Sequence, residues 1–254
     1  MDAGVRSPLI DFFRRGEVAQ DVRLLAARGA LAPRAQEQLA LLLLLLDDAD
    51  PLVAATAART VDGLPAPAVA AFLGRGDVPQ AMRDFFAARG IVPDGTIPSP
   101  GDDPLVDEDA GAVAEAPEET ADPGVLSTLP VIDRMKLAMR GTREQRGQLI
   151  RDSNKLVAAA VLSSPKLTEP EVENFARMAN LSEDVVRIIA VNRSWVKNYN
   201  VVSALTRNPK TPPALAMGFL QRLNERDLKR LSIDRNVSEP VRLAARKFVV
   251  KGLR

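Results

Sequence analysis

The chain has 254 residues, 46% hydrophobic and 26% charged, with a net charge of +1, an ordinary globular composition with room for two domains of about 100 residues. It contains neither cysteine nor histidine, which excludes disulfides and thiol chemistry and removes the commonest neutral-pH general base and transition-metal ligand. No phosphate-binding glycine loop, dinucleotide fingerprint or nucleophile elbow is present, so no catalytic residue, cofactor or metal is expected.

Aromatic residues make up only 4% of the chain. A core must then be assembled mainly from Ala, Leu and Val, which suits short, closely stacked helices better than a β-sandwich. The opening residues 1–6 place no basic region ahead of a long apolar run, so no secretory signal is expected and the cytoplasm is the default compartment. Leu9, Ile10, Phe12 and Phe13, then Val22, Leu24 and Leu25, recur at helical spacing. The apolar run 39–46 spans only about 12 Å as helix, far short of the roughly 20 residues that cross a bilayer. It predicts a buried helix, and no transmembrane segment is expected.

Asp47, Asp48 and Asp50 lack the glycine and terminal glutamate of a calcium loop and read as a capping turn. Asp50 caps the next helix, and Pro51 at its first position gives up no hydrogen bond. Further short helices are predicted over 68–73 and 80–88, with Gly29, Gly63, Gly74, Gly76 and Gly90 at helix stops.

Residues 93–124 differ sharply. They contain Pro93, Pro98, Pro100, Pro104, Pro117 and Pro123, no Lys or Arg, and ten acids: Asp94, Asp102, Asp103, Asp107, Glu108, Asp109, Glu115, Glu118, Glu119 and Asp122. Such a segment cannot recover the entropy of ordering and should be disordered or extended. The expected organisation is an N-terminal helical domain over 1–92, an acidic linker over 93–124 and a basic helical domain over 125–254. Their net charges are −1, −10 and +12, an asymmetry that speaks to partners rather than to fold.

In the last part, helix starts near Thr142, Asn154, Thr168, Ser182, Ser194, Thr211, Asn224 and Ser238 lie 12 to 17 residues apart. Thr142 with Gln145 and Thr168 with Glu171 fit the capping box. The turn Ser163-Ser164-Pro165-Lys166-Leu167-Thr168 compares with Arg207-Asn208-Pro209-Lys210-Thr211, and more faintly with Asp234-Arg235-Asn236-Val237-Ser238.

The Asn/Ser-Pro-Lys turn followed by Thr-x-Pro and a short amphipathic helix resembles HEAT-like and leucine-rich-variant helical repeats over 140–252, and more weakly over 20–90. The resemblance implies an all-α fold of short stacked helices forming an α-solenoid, in two parts joined by a disordered linker. Such solenoids mostly present a concave surface to another macromolecule.

The only tryptophan and tyrosine of the chain lie together in Arg193-Ser194-Trp195-Val196-Lys197-Asn198-Tyr199. On one helix Trp195 and Tyr199 would share a face with Arg193 and Lys197 nearby. With Asn198, and with Arg207, Asn208 and Lys210 on the neighbouring turn, they form the candidate partner-binding patch. The other reading is that the rings fill a gap in an alanine-rich stack. Further cations recur from Arg222 to Arg254 and either converge on one surface or disperse over solvated faces.

The functional expectation is a non-enzymatic scaffold or adaptor that binds a macromolecule, protein first, through the basic domain. The alternative is a nucleic-acid binder resembling HEAT-like alkylpurine DNA glycosylases, which needs an acid near the aromatics that the sequence does not assign. The acidic linker is expected to be able to fold back over the basic domain.

Overall fold

The computed structural model describes residues 4, 5, 7–32, 34–96, 101–106 and 123–252, and among them it contains helices and no strand. In chain order these are α1 (Pro8–Arg14), α2 (Gln20–Ala27), α3 (Ala35–Leu45), α4 (Pro51–Asp62), α5 (Ala66–Leu73), α6 (Gln80–Ala87), α7 (Pro123–Thr128) and α8 (Val131–Arg140). They continue as α9 (Arg143–Leu149), α10 (Lys155–Leu162), α11 (Glu169–Arg177), α12 (Glu183–Val191), α13 (Tyr199–Arg207), α14 (Pro213–Phe219), α15 (Glu225–Leu231) and α16 (Glu239–Gly252). Two single 3-10 turns, Trp195–Lys197 and Leu220–Arg222, precede α13 and follow α14.

Most starts obey the expected capping chemistry. Asp50 accepts from Leu52 N at 2.9 Å, and Thr142 and Gln145 exchange both bonds of a capping box. Asn154, Ser182 and Asn224 cap α10, α12 and α15. Two predicted starts move. Asn192 Oδ1 takes the amides of Ser194 and Trp195, so only a 3-10 turn follows, and α13 begins after Asn198, whose side chain accepts from Asn200 N. Thr211 instead donates its hydroxyl to Leu205 O at 2.6 Å, leaving Pro212 at the cap of α14.

Helices pack both on the next helix, as α2 on α3, α3 on α4, α8 on α9 and α15 on α16, and on the neighbour two places along the chain: α1 on α3, α2 on α4, α8 on α10, α10 on α12, α11 on α13 and α14 on α16. The main contact across the acidic segment is α1 on α10. Accordingly one buried cluster runs from Val5 to Leu205 and joins Leu9 and Ile10 of α1 to Val157 and Ala160 of α10. In α10 every residue from Leu156 to Leu162 is buried, as expected of a helix enclosed on all sides. A second, smaller cluster gathers Val202, Leu220, Leu231 and Val241 around α14–α16, with Val196 and Phe219 touching both.

Side chains at the helix ends clamp one layer to another. Asn208 is buried and donates to Ala176 O and Met178 O at 2.8 and 3.0 Å, while Ser164 donates to Met139 O at 2.7 Å. The same turn also appears in both halves. Asp48 pairs with Arg23 and accepts from Asp50 N, the cap of α4; Asp152 pairs with Arg134 and accepts from Asn154 N, the cap of α10. The acidic cluster at 47–50 is thus a capping turn tied to α2.

The described start of the acidic segment lies against the first helices. Asp102 O accepts from Ala35 N, Asp102 pairs with Arg75 at 3.3 Å, and Asp94 N donates to Ala70 O. Gln38 closes the strap: its Oε1 accepts from Leu105 N and Val106 N, and its Nε2 donates to Val106 O. A Cβ on Gly74 would lie 3.0 Å from the Asp94 backbone, so this approach needs glycine. Residues 107–122, which hold seven of the ten acids, lie outside the described residues.

Candidate functional site

The expected patch does not form as one helical face. Trp195 and Tyr199 belong to different elements, because the caps at Asn192 and Asn198 break the helix between them. Trp195 is half-buried against the main core, next to α1 and α3 residues. Tyr199 is exposed at the other end of the segment, where its hydroxyl donates to Asp227 and accepts from Asn224 N. Burial first, and then the bond to Asp227, raise the pKa of that hydroxyl.

The remaining candidates divide similarly. Asn208 is a buried clamp that also lines the groove beside Arg207. Asn198 caps α13 and donates to Glu169 at 3.3 Å. Arg207 pairs with Asp227 at 2.5 Å. Arg193, Lys197 and Lys210 are exposed and have no ion-pair partner among the described residues; the Lys197 carbonyl accepts from Arg222.

A feature absent from the sequence reading lies beside Arg207. A groove of about 590 Å³ runs between the end of α11, the outer face of α13 and the turn before α16. Arg177, Asn200, Ser203, Arg207, Asp234 and Asn236 are among the residues that line it. α11 and α13 bring Arg177 and Arg207 to its two sides because those helices pack directly on each other. Each arginine already has one carboxylate: Glu173 for Arg177 and Asp227 for Arg207. Asn200 donates to Glu173 at 3.2 Å. The wall is therefore rich in N–H donors held in place by acids behind them, an arrangement that suits hydrogen bonding to carbonyl and carboxylate oxygens.

Beyond the groove, Arg226, Arg230, Arg235 and Lys247 are also exposed without an ion-pair partner among the described residues. Among the described residues no cluster of three potential metal ligands occurs and no helix is long and apolar enough to cross a membrane. Compared with family models, with curated proteins and with solved structures, the chain matches none.

Proposed function

We propose that the chain is a non-enzymatic helical-repeat scaffold of HEAT-like organisation that holds an extended, acidic segment of a protein partner. The groove between α11, α13 and the turn before α16 carries this reading. Its donors, Arg177, Asn200, Ser203 and Arg207, stand along two adjacent helices, and an extended chain offers a carbonyl at each residue for them. The packing of helices two places apart supports the solenoid part of the reading, since it lays successive helices side by side as one continuing wall. Exposed Lys210 and Arg235, in the turns that flank the groove, favour an acidic partner over a basic one.

Labelled acidic and basic peptides titrated against the full chain at about 50 mM salt test the proposal by fluorescence anisotropy. Acidic peptides should bind, and the exposed pair Arg177→Glu with Lys210→Glu should weaken them at least tenfold. Binding of basic peptides with equal strength contradicts it. So does a DNA mobility shift abolished by the same pair, which would favour the nucleic-acid reading of the basic domain.

A further inference from the structure

The two halves of the chain meet around a second cavity, of about 300 Å³, that is distinct from the groove. Its walls come from both sides of the acidic segment: Ser7 and Pro8 at the start of α1, Arg34 just before α3 and Glu37 within it, and Ser163, Asn192 and Trp195 from the far half. The volume sits at the lower end of the roughly 300–1,000 Å³ usual for ligand pockets. Of its lining residues, Ser194 is exposed and Arg34 partly so.

Two of its polar groups are deeply buried and incompletely bonded. Glu37 is 6% exposed and its Oε2 has no hydrogen-bond partner among the described residues; Ser163 is 5% exposed and its hydroxyl likewise has none there. Natural interiors rarely leave such groups unpaired, because each carries an uncompensated desolvation cost. Ser7 hydrogen-bonds the Glu37 carboxyl, but its own oxygen is also engaged by Ile10 N as the cap of α1. Among the described residues the cation that lines the cavity, Arg34, is turned to Asp102 at 3.6 Å, so its charge is shared with that acid. No other described residue on the walls carries a positive charge.

We propose that this junctional cavity binds a small organic cation, a primary ammonium or amidinium head on a short apolar stem. Glu37 Oε2 and Ser163 Oγ accept its N–H groups, and Trp195 supplies the aromatic wall. The Glu37 carboxylate and the Ser163 hydroxyl provide acceptors for such a head. Tryptophan is the aromatic side chain that attracts cations best. A single carboxylate is too few ligands for a magnesium or calcium ion. Because the site is built from α1, α3, α10 and the Trp195 turn, a bound cation also fastens the two halves together. Burial holds the Glu37 carboxyl above its ordinary pKa despite the Ser7 bond and Arg34, and a cation in the cavity would return it toward the ionised state.

Trp195 is the only tryptophan of the chain, so its fluorescence reports the cavity alone. Full-length protein at about pH 8 is titrated with n-butylammonium chloride, with n-butanol as the neutral analogue, at constant ionic strength. The expected result is a saturable change with the ammonium and none with the alcohol, with affinity at least tenfold weaker in Glu37→Gln. Should that variant fail to fold, Ser163→Ala, which removes an unsatisfied hydroxyl at little cost to the fold, should weaken binding several-fold. No saturable response, an equal response to butanol, or unchanged affinity in the variant that folds would overturn the assignment.

Discussion

Glu171 and Glu37 are buried to nearly the same depth, 3% and 6% exposed, on α11 and α3 in opposite halves of the chain. Around Glu171 the donors are complete. Arg146, 4% exposed, grips both carboxylate oxygens at 3.0 Å, and the Thr168 amide and hydroxyl add two more bonds. Burial alone works to raise its pKa, yet Thr168 and then Arg146 outweigh it and hold the carboxyl below the ordinary value. Around Glu37 burial wins over Ser7 and Arg34, and the pKa rises. Of the two buried acids, Glu171 is the one whose bonds hold helices together. One is a closed joint between helices; the other is an open valence at the seam between halves.

The comparison breaks most visibly at the closed joint. Arg146→Ala strips Glu171 of its cation and also leaves Gly141 O and Lys166 O without the donor they now share. Breaking a buried pair from one side typically costs about 3–5 kcal/mol, read as a drop in the urea midpoint. Replacing both partners, Arg146→Met with Glu171→Leu, should recover much of that loss. A cost under about 1 kcal/mol for the single change would mean that the joint carries little.

The frame of the same joint gives the next effect. A Cβ at Gly141 would fall 2.3 Å from Gln145 Oε1 and 2.4 Å from Leu137 O. Gly141→Ala must therefore displace the capping box of α9 or the end of α8. Overpacking of this kind costs about 1–3 kcal/mol, measurable by thermal unfolding, whereas Gly76→Ala, with nothing within 4 Å, should cost far less.

The smallest effect sits at the open valence and is a matter of pH. The folded-state pKa of Glu37 lies above its unfolded value, so the native state binds its proton more tightly. Its contribution is therefore fully present below the unfolded pKa and is lost as pH rises through the folded one. Glu37→Gln removes that loss: its melting temperature should match the parent at about pH 4 and exceed it at about pH 8. Glu171 has the opposite sign, its contribution being present above the ordinary glutamate pKa and lost as pH falls through the depressed folded value.

What the sequence made legible follows from the range of the interaction. Caps such as Asp50, Thr142 and Thr168 act within three residues, so their partners are visible in the string. The Asn-Pro-Lys turn was readable as a turn, but not the reach of Asn208 back to Ala176, 32 residues away. The shared face of Trp195 and Tyr199 failed for a local reason: Asn192 and Asn198 are both strong caps, and two caps six residues apart leave no room for one helix. α8 has no capping side chain to announce it, only Pro130 at that position. The groove at Arg177 and Asn200 and the cavity at Glu37 depend on which helices meet, which no local pattern encodes. The one trace of the cavity in the string was a lone glutamate opening the leucine-rich α3.

Carbon-13 NMR titration of the glutamate side-chain carboxyls in the full chain, with Glu37 and Glu171 assigned by their Gln variants, tests the contrast most directly. Glu37 should titrate above the ordinary glutamate value and Glu171 below it. Addition of n-butylammonium should move only Glu37, and move it downward. Coincident titrations, or Glu171 above Glu37, would contradict the assignment of one acid as a closed joint and the other as an open site.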